Sequence, residues 1–293
     1  MASTLQFARL IFDTKLQHFE TNNREEYNKI ILLKVIDYDT PIVKLLSKAG
    51  KNIHIIDATW NFAGIKEGIL DNIPYIYGKL GKESTQTHLV RDNKKKDYVL
   101  SETTDAYVIY FLIDLKKNVL VYESKRNVGE KAPLDIIKDV FNSYYDDKEE
   151  LEIEIITDKR KIVERMNRLS TLDIVDLNVY RTNPESTSGS DKMDTFLREG
   201  HIRRLHLKAY SDKKGIQLNK VDLIKSGFHL AEEGYGSAKA IGKIGDNYEE
   251  IVTGDIPIKI DTNLTKDDDQ INIKTLLYQI REALKRLEDK LNK

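Results

Sequence analysis

Cysteine is absent from this 293-residue sequence. Its absence excludes disulfides, thiolate metal sites and cysteine nucleophiles together, and fits a reducing compartment. No charge of one sign dominates either, since 47 Lys and Arg face 48 Asp and Glu. A chain so balanced does not hold polyanions by bulk attraction, and any nucleic-acid contact needs a local basic patch. No apolar run approaches the roughly 18 residues of a spanning helix. The N-terminus MASTLQFARLIFD has an arginine inside its short apolar run and no cleavage-site pattern. A cytoplasmic protein without membrane contact is therefore expected. Common catalytic spacings are missing too: the six histidines form neither H-x-x-x-H nor H-E-x-x-H, and no G-x-S-x-G occurs. These gaps remove the anchors for a histidine zinc site and for a serine hydrolase. The stretch Gly234–Lys243 also fails as a phosphate-binding loop. Five residues separate Gly236 from Gly242, and Ile244 follows Lys243. Its glycines are read as turns between short strands.

What is present is a 40% apolar fraction in a chain long enough for one large domain or two ordinary ones. The organising stretch is Tyr107–Lys125. Two β-branched and aromatic runs, 107–113 and 119–122, flank the polar Asp114–Asn118, the pattern of a buried hairpin. Before it, strands are expected at Leu5–Phe12 and Asn52–Ala58 and a helix at Arg24–Val35. A short helix is expected between Thr40-Pro41 and Gly50. Glycine-rich 60–81 reads as loops and short strands, and polar Lys82–Asp97 as a mobile surface loop. After the hairpin, helices are predicted at Pro133–Tyr145 and Lys159–Leu169, with strands at Leu151–Ile156 and Leu172–Tyr180. The order predicts an α+β fold, with mixed sheets covered by helices on one face. Arg181–Thr195 is poor in apolar residues and marks a boundary. This divides the chain into an α+β domain over 1–182, a linker over 183–195 and a small β-rich domain over 196–260. In the last of these, strands are expected at Ile202–Tyr210, Phe228–Ala231, Ser237–Ile244 and Ile256–Ile260, with a short helix at Lys220–Lys225.

Residues 261–293 read as an acidic linker followed by an amphipathic helix. Ile273, Leu277, Ile280, Leu284, Leu287 and Leu291 recur at heptad spacing, with Lys274, Arg281 and Glu288 beside the seam. Such a helix either packs on its own domain or joins the chain to a second copy or a partner protein.

The sharpest chemical candidate is Asp105 with Glu123-Ser124-Lys125. Metal-dependent nucleases of the PD-(D/E)xK type set an acid at the start of one strand and D/E-x-K at the exit of its hairpin partner. Two carboxylates, here Asp105 and Glu123, would hold Mg2+ or Mn2+, and Lys125 would orient the attacking hydroxide. Asp114 sits at the hairpin tip, too far from Glu123 to serve. The same tripeptide pattern also occurs at Asp13, Asp92, Asp114, Asp212 and Glu288, and no proline precedes Asp105. The pattern is thus cheap in a chain this charged.

A second candidate is the basic strip His201, Arg203, Arg204, His206 and Lys208, extended by Lys213 and Lys214. It could contact phosphates, use His201 or His206 as acid–base in a metal-free ribonuclease, or guard a solvated sheet edge.

Three pieces carry a resemblance: Val121-Tyr122-Glu123, Tyr180-Arg181-Thr182-Asn183-Pro184, and Leu230-Ala231-Glu232-Glu233-Gly234-Tyr235-Gly236 with Ala240-x-Gly242. In this order the chain resembles an uncharacterised bacterial family often found beside phage-defence genes. The resemblance implies a bacterial antiviral-defence role but no catalytic residues. Two functions are expected on this basis. One is a defence protein that handles nucleic acid, with metal-dependent nuclease chemistry. The other is a non-enzymatic adaptor of a defence complex that acts through protein–protein contacts.

Overall fold

The structure is a computed structural model. It describes residues 2–14, 24–36, 59–92, 94, 96–145, 149–182, 192–212, 214–263, 266–267, 270–271, 278 and 281–282. The expected helix at 40–50, the strand at 52–58 and the heptad seam Ile273, Leu277, Ile280, Leu284, Leu287 and Leu291 lie outside the described residues. The fold is mixed α+β. The chain divides into two units, one of Met1–Ile11, Lys117–Val121 and Glu152–Lys293, the other of Phe12–Lys116 and Tyr122–Leu151.

The second unit is built on an antiparallel meander of β2 (Thr59–Leu70), β3 (Ile73–Asp92) and β4 (Asp97–Asp114), joined by the exit end of β5 (Val119–Ser124). The hairpin expected at 107–122 is present. Its β4 half is buried on both faces from Ile109 to Asp114, which is why alternation is missing there. Two expectations are corrected. Residues 60–81 lie in two long strands and their tight turn rather than in loops and short strands, and 82–92 continues β3 rather than forming a surface loop. Asp71 and Asn72 close β2 onto β3 with φ of 49° and 64°. Both residues are left-handed, as the two-residue turn that matches strand twist requires.

Two helices pack in this unit. In α1 (Arg24–Ile36), Glu25 and Glu26 lie in the first turn and Lys34 in the last, as the helix dipole favours. Its Ile31, Leu32, Val35 and Ile36 are buried. In α2 (Ala132–Tyr145), Leu134, Ile137, Val140 and Phe141 form the buried stripe. Tyr145 Oη donates to the Ile31 carbonyl at 2.9 Å, tying the two helices together.

In the first unit, β1 (Ala2–Thr14) pairs antiparallel with β11 (Lys259–Asn263). β6 (Glu149–Ile155) and α3 (Lys159–Met166) precede a four-stranded antiparallel sheet. That sheet comprises β7 (Thr171–Tyr180), β8 (Arg204–Tyr210), β9 (Gly236–Ile244) and β10 (Asn247–Val252), in the order β10-β9-β7-β8. One face is covered by α4 (Lys192–Glu199) and α5 (Asp222–Glu232). Val175, Leu177 and Val179 of the sheet pack there with Met193, Leu197, Ile224 and Phe228.

A further expectation is overturned here, since Phe228–Ala231 lies within α5 and is not a strand. The apolar run Phe228-His-Leu-Ala231 is too short for periodicity to tell strand from buried helix. Buried Asp194 fixes the start of α4. It accepts from Thr182 N at 2.7 Å, Thr182 Oγ1 at 2.8 Å and Arg198 Nε at 2.7 Å.

Candidate functional site

Glu123 stands at the exit of β5 and is only 1% exposed. An isolated carboxylate at that depth is costly, so it needs a cation and hydrogen bonds. Lys125, two residues on and on the same side of the strand, supplies the cation. Its Nζ lies 2.9 Å from Glu123 Oε2 and donates to the Val108 carbonyl at 2.7 Å. The ammonium also sits 5.9 Å from the centre of the Tyr110 ring. Tyr110 stacks on Tyr77 with ring centroids 6.3 Å apart. Burial, then Tyr110 and Glu123, push the Tyr77 hydroxyl well above the usual phenol range.

The structure thus brings Glu123 and Lys125 together, as an ion pair walled by two tyrosines. Asp105 is not part of this group. It is exposed, and it pairs with Ser84 across the β3–β4 ladder. That ladder has no register shift, and Asp105 is five residues from Tyr110, so the two side chains point to opposite faces. Along β4, Asp105 lies three residues beyond Val108, about 10 Å at the rise of a strand. Where a two-carboxylate metal centre needs Asp105 and Glu123 converging, one carboxylate meets an ammonium instead. Among the described residues no three His, Cys, Asp or Glu side chains form a group that could hold a metal ion.

The basic strip separates into parts. His201 takes φ of 51° in the turn that follows α4, and Arg203 lies exposed just before β8. Within β8, Leu205, Leu207 and Ala209 face the helix-covered core, while Arg204, His206 and Lys208 point the other way with Tyr210. β8 is an outer strand of its sheet. Arg204 Nε donates to Asn178 Oδ1 at 2.7 Å, His206 Nε2 lies 2.6 Å from Asp176 Oδ1, and Lys208 Nζ lies 3.8 Å from Asp176 Oδ2. Lys214 is exposed in the following turn, and Lys213 is outside the described residues.

Sequence reasoning passed over the long ribbon that β3 and β4 form beyond β2. Among the described residues, the last pair of β2 with β3 is Thr59↔Glu83, whereas β3 and β4 stay paired from Ser84↔Asp105 to Asp92↔Asp97. Leu89, Tyr98 and Leu100 on this arm are 63%, 63% and 74% exposed. The β-branched Thr85, Thr87, Thr103 and Thr104 were the available strand signal.

These features define a mixed α+β protein with an exposed β-ribbon, and among the described residues no helix is long and apolar enough to cross a membrane. The family model described as a domain of unknown function, DUF4747, matches residues 15–280. The chain belongs to that family. No curated protein matches it.

Proposed function

We propose that this chain is a non-enzymatic assembly protein that acts through protein–protein contacts, and that its arm, Ser84–Asp105, pairs with the arm of a second copy. The observation that carries this reading is the exposure of the arm. None of its described residues is buried, yet it presents large apolar side chains on a two-stranded ribbon. A ribbon of two strands is marginal in water by itself, and contiguous exposed apolar surface marks a contact site.

The arm's pattern is self-complementary. One face carries the successive rows Thr87/Glu102, Leu89/Leu100 and Arg91/Tyr98. A two-fold axis through the leucine row sets two arms antiparallel. Leucines then meet leucines, and the row bearing Arg91 of each arm lies against the row bearing Glu102 of the other. Isologous contacts have this property.

Mass in solution tests the proposal. Wild type should sediment as a dimer at micromolar concentration, and Leu89→Asp with Leu100→Asp as a monomer with an unchanged circular dichroism spectrum. Arg91→Glu should weaken the dimer and Glu102→Arg, added to it, should restore it. A monomeric wild type, or leucine variants that keep the dimer mass, would overturn it.

A further inference from the structure

The four-stranded sheet has a second face, turned away from α4 and α5. Register places its side chains in rows. Ile174 and Tyr210 align with Ile241 and Glu250; Asp176 aligns with Lys208 and Lys239; Asn178 aligns with His206 and Ser237. Lys243, opposite Tyr248, extends the same face beyond Ile241. Four permanent cations, Arg204, Lys208, Lys239 and Lys243, therefore share this face with two carboxylates, Asp176 and Glu250. His206 joins them when protonated. Glu250 pairs with Lys239 at 2.6 Å.

Two aromatic rings stand on this surface with unusual exposure. Tyr210 and Tyr248 are each 66% exposed. Each has an ammonium beside it: Lys208 Nζ is 5.5 Å from the Tyr210 centroid and Lys243 Nζ is 5.1 Å from that of Tyr248. The rings sit on the two outer strands of the sheet, three strand spacings or about 14 Å apart across it and one row apart along it. Tyr180, at the other end of the face, is covered and lies near Glu152 and Glu154. The favourable region is therefore the Tyr210–Tyr248 end.

We infer that this face binds single-stranded nucleic acid without sequence preference. An open ring beside a cation offers a nucleobase a stacking surface and its phosphate a counter-charge, the pairing that single-strand platforms use. A duplex keeps its base faces stacked inside and cannot reach the tyrosines, so the surface selects single strands. The balanced overall charge leaves this patch, rather than bulk attraction, as the source of affinity. The surface uses no residue of the arm, so it stands or falls independently of self-association.

Fluorescence anisotropy with labelled oligo-dT and oligo-rU, and with a mixed-sequence duplex of equal length, tests the inference. The single strands should bind the full chain and the duplex at least tenfold more weakly. The log–log salt slope should lie near about −2 to −3, as expected for three or four phosphate contacts on a single strand. Tyr210→Ala with Tyr248→Ala should cost tenfold or more in affinity with little change in slope. The Tyr→Phe pair should restore binding, and Lys208→Ala with Lys243→Ala should make the slope shallower. Circular dichroism on each variant separates lost binding from lost fold. Failure of wild type to bind the single strands, equal binding of the duplex, or alanine variants that bind like wild type would overturn it.

Discussion

Glu123 is a carboxylate only 1% exposed, balanced by the Lys125 ammonium 2.9 Å away. Removing one partner of a buried pair leaves a charge that the surroundings cannot solvate, while replacing both with apolar groups relieves the problem. Lys125 is 32% exposed, so water shares part of its role and the usual cost shrinks. Lys125→Met should lose about 1–3 kcal/mol in urea unfolding, and Glu123→Leu with Lys125→Met should regain most of it. A double variant as unstable as the single one would point to a role for Glu123 beyond this pair. A tyrosine gives a second test. Burial, then Glu152, pushes the Tyr180 hydroxyl up to about 12, above the value near 10 of an unfolded tyrosine. The folded state then holds this proton more tightly, so the stability it contributes is intact below about pH 10 and is lost as pH rises through about 12. Urea midpoints measured across that window should fall, and Tyr180→Phe should fall less steeply. A residual slope is expected, since Tyr77 and Tyr122 shift the same way.

At the scale of elements, β9 shows why legibility was uneven. Its buried positions are Gly236, Ala238, Ala240 and Gly242, alternating with half-buried Ser237, Lys239, Ile241 and Lys243. A strand was legible there from the alternation, but the glycines read as turn residues because spacing alone does not reveal a neighbouring backbone. A Cβ on Gly236 would lie 2.2 Å from the Asn178 carbonyl oxygen, and its φ is 136°. Gly236→Ala should therefore cost about 3 kcal/mol or more in a denaturant titration. Gly245, in the turn after β9, has φ of 61° and open space around it, so Gly245→Asn should be near neutral. Equal losses at both positions would mean that crowding is not what selects glycine at 236. The buried hairpin, α2 and β7 were readable from apolar runs and helical spacing, and α1 from the acidic residues of its first turn. The β2–β3 hairpin was not, although Asp71-Asn72 is good two-residue turn chemistry. Its flanking strands are interrupted by Gly64, Gly68, Gly78 and Gly81, and glycines between apolar residues read as turns rather than strand interior. The candidate site divided in the same way. The Glu123-x-Lys125 pairing follows from strand period alone, whereas the placement of Asp105 depended on cross-strand register, which no local pattern encodes.

For the whole molecule, the arm separates what the chain needs to fold from what it needs to assemble. Ser84–Asp105 lies beyond the last β2 partner of β3 and contributes no described buried residue, so it adds little to any core. Glu83 and Ala106 face each other directly across β3 and β4, which is the spacing that a two-residue Asn-Gly turn closes. Replacing Ser84–Asp105 with Asn-Gly should leave the melting temperature within about 5 °C of wild type, because regions with few buried contacts carry little of the global stability. The same excision should yield a monomer by sedimentation while keeping oligo-dT binding, whose residues are on the other unit. A shortened chain that no longer folds would show the ribbon to be part of the core. One that folds and still dimerises would move the assembly surface elsewhere, with the C-terminal heptad seam the next segment to truncate.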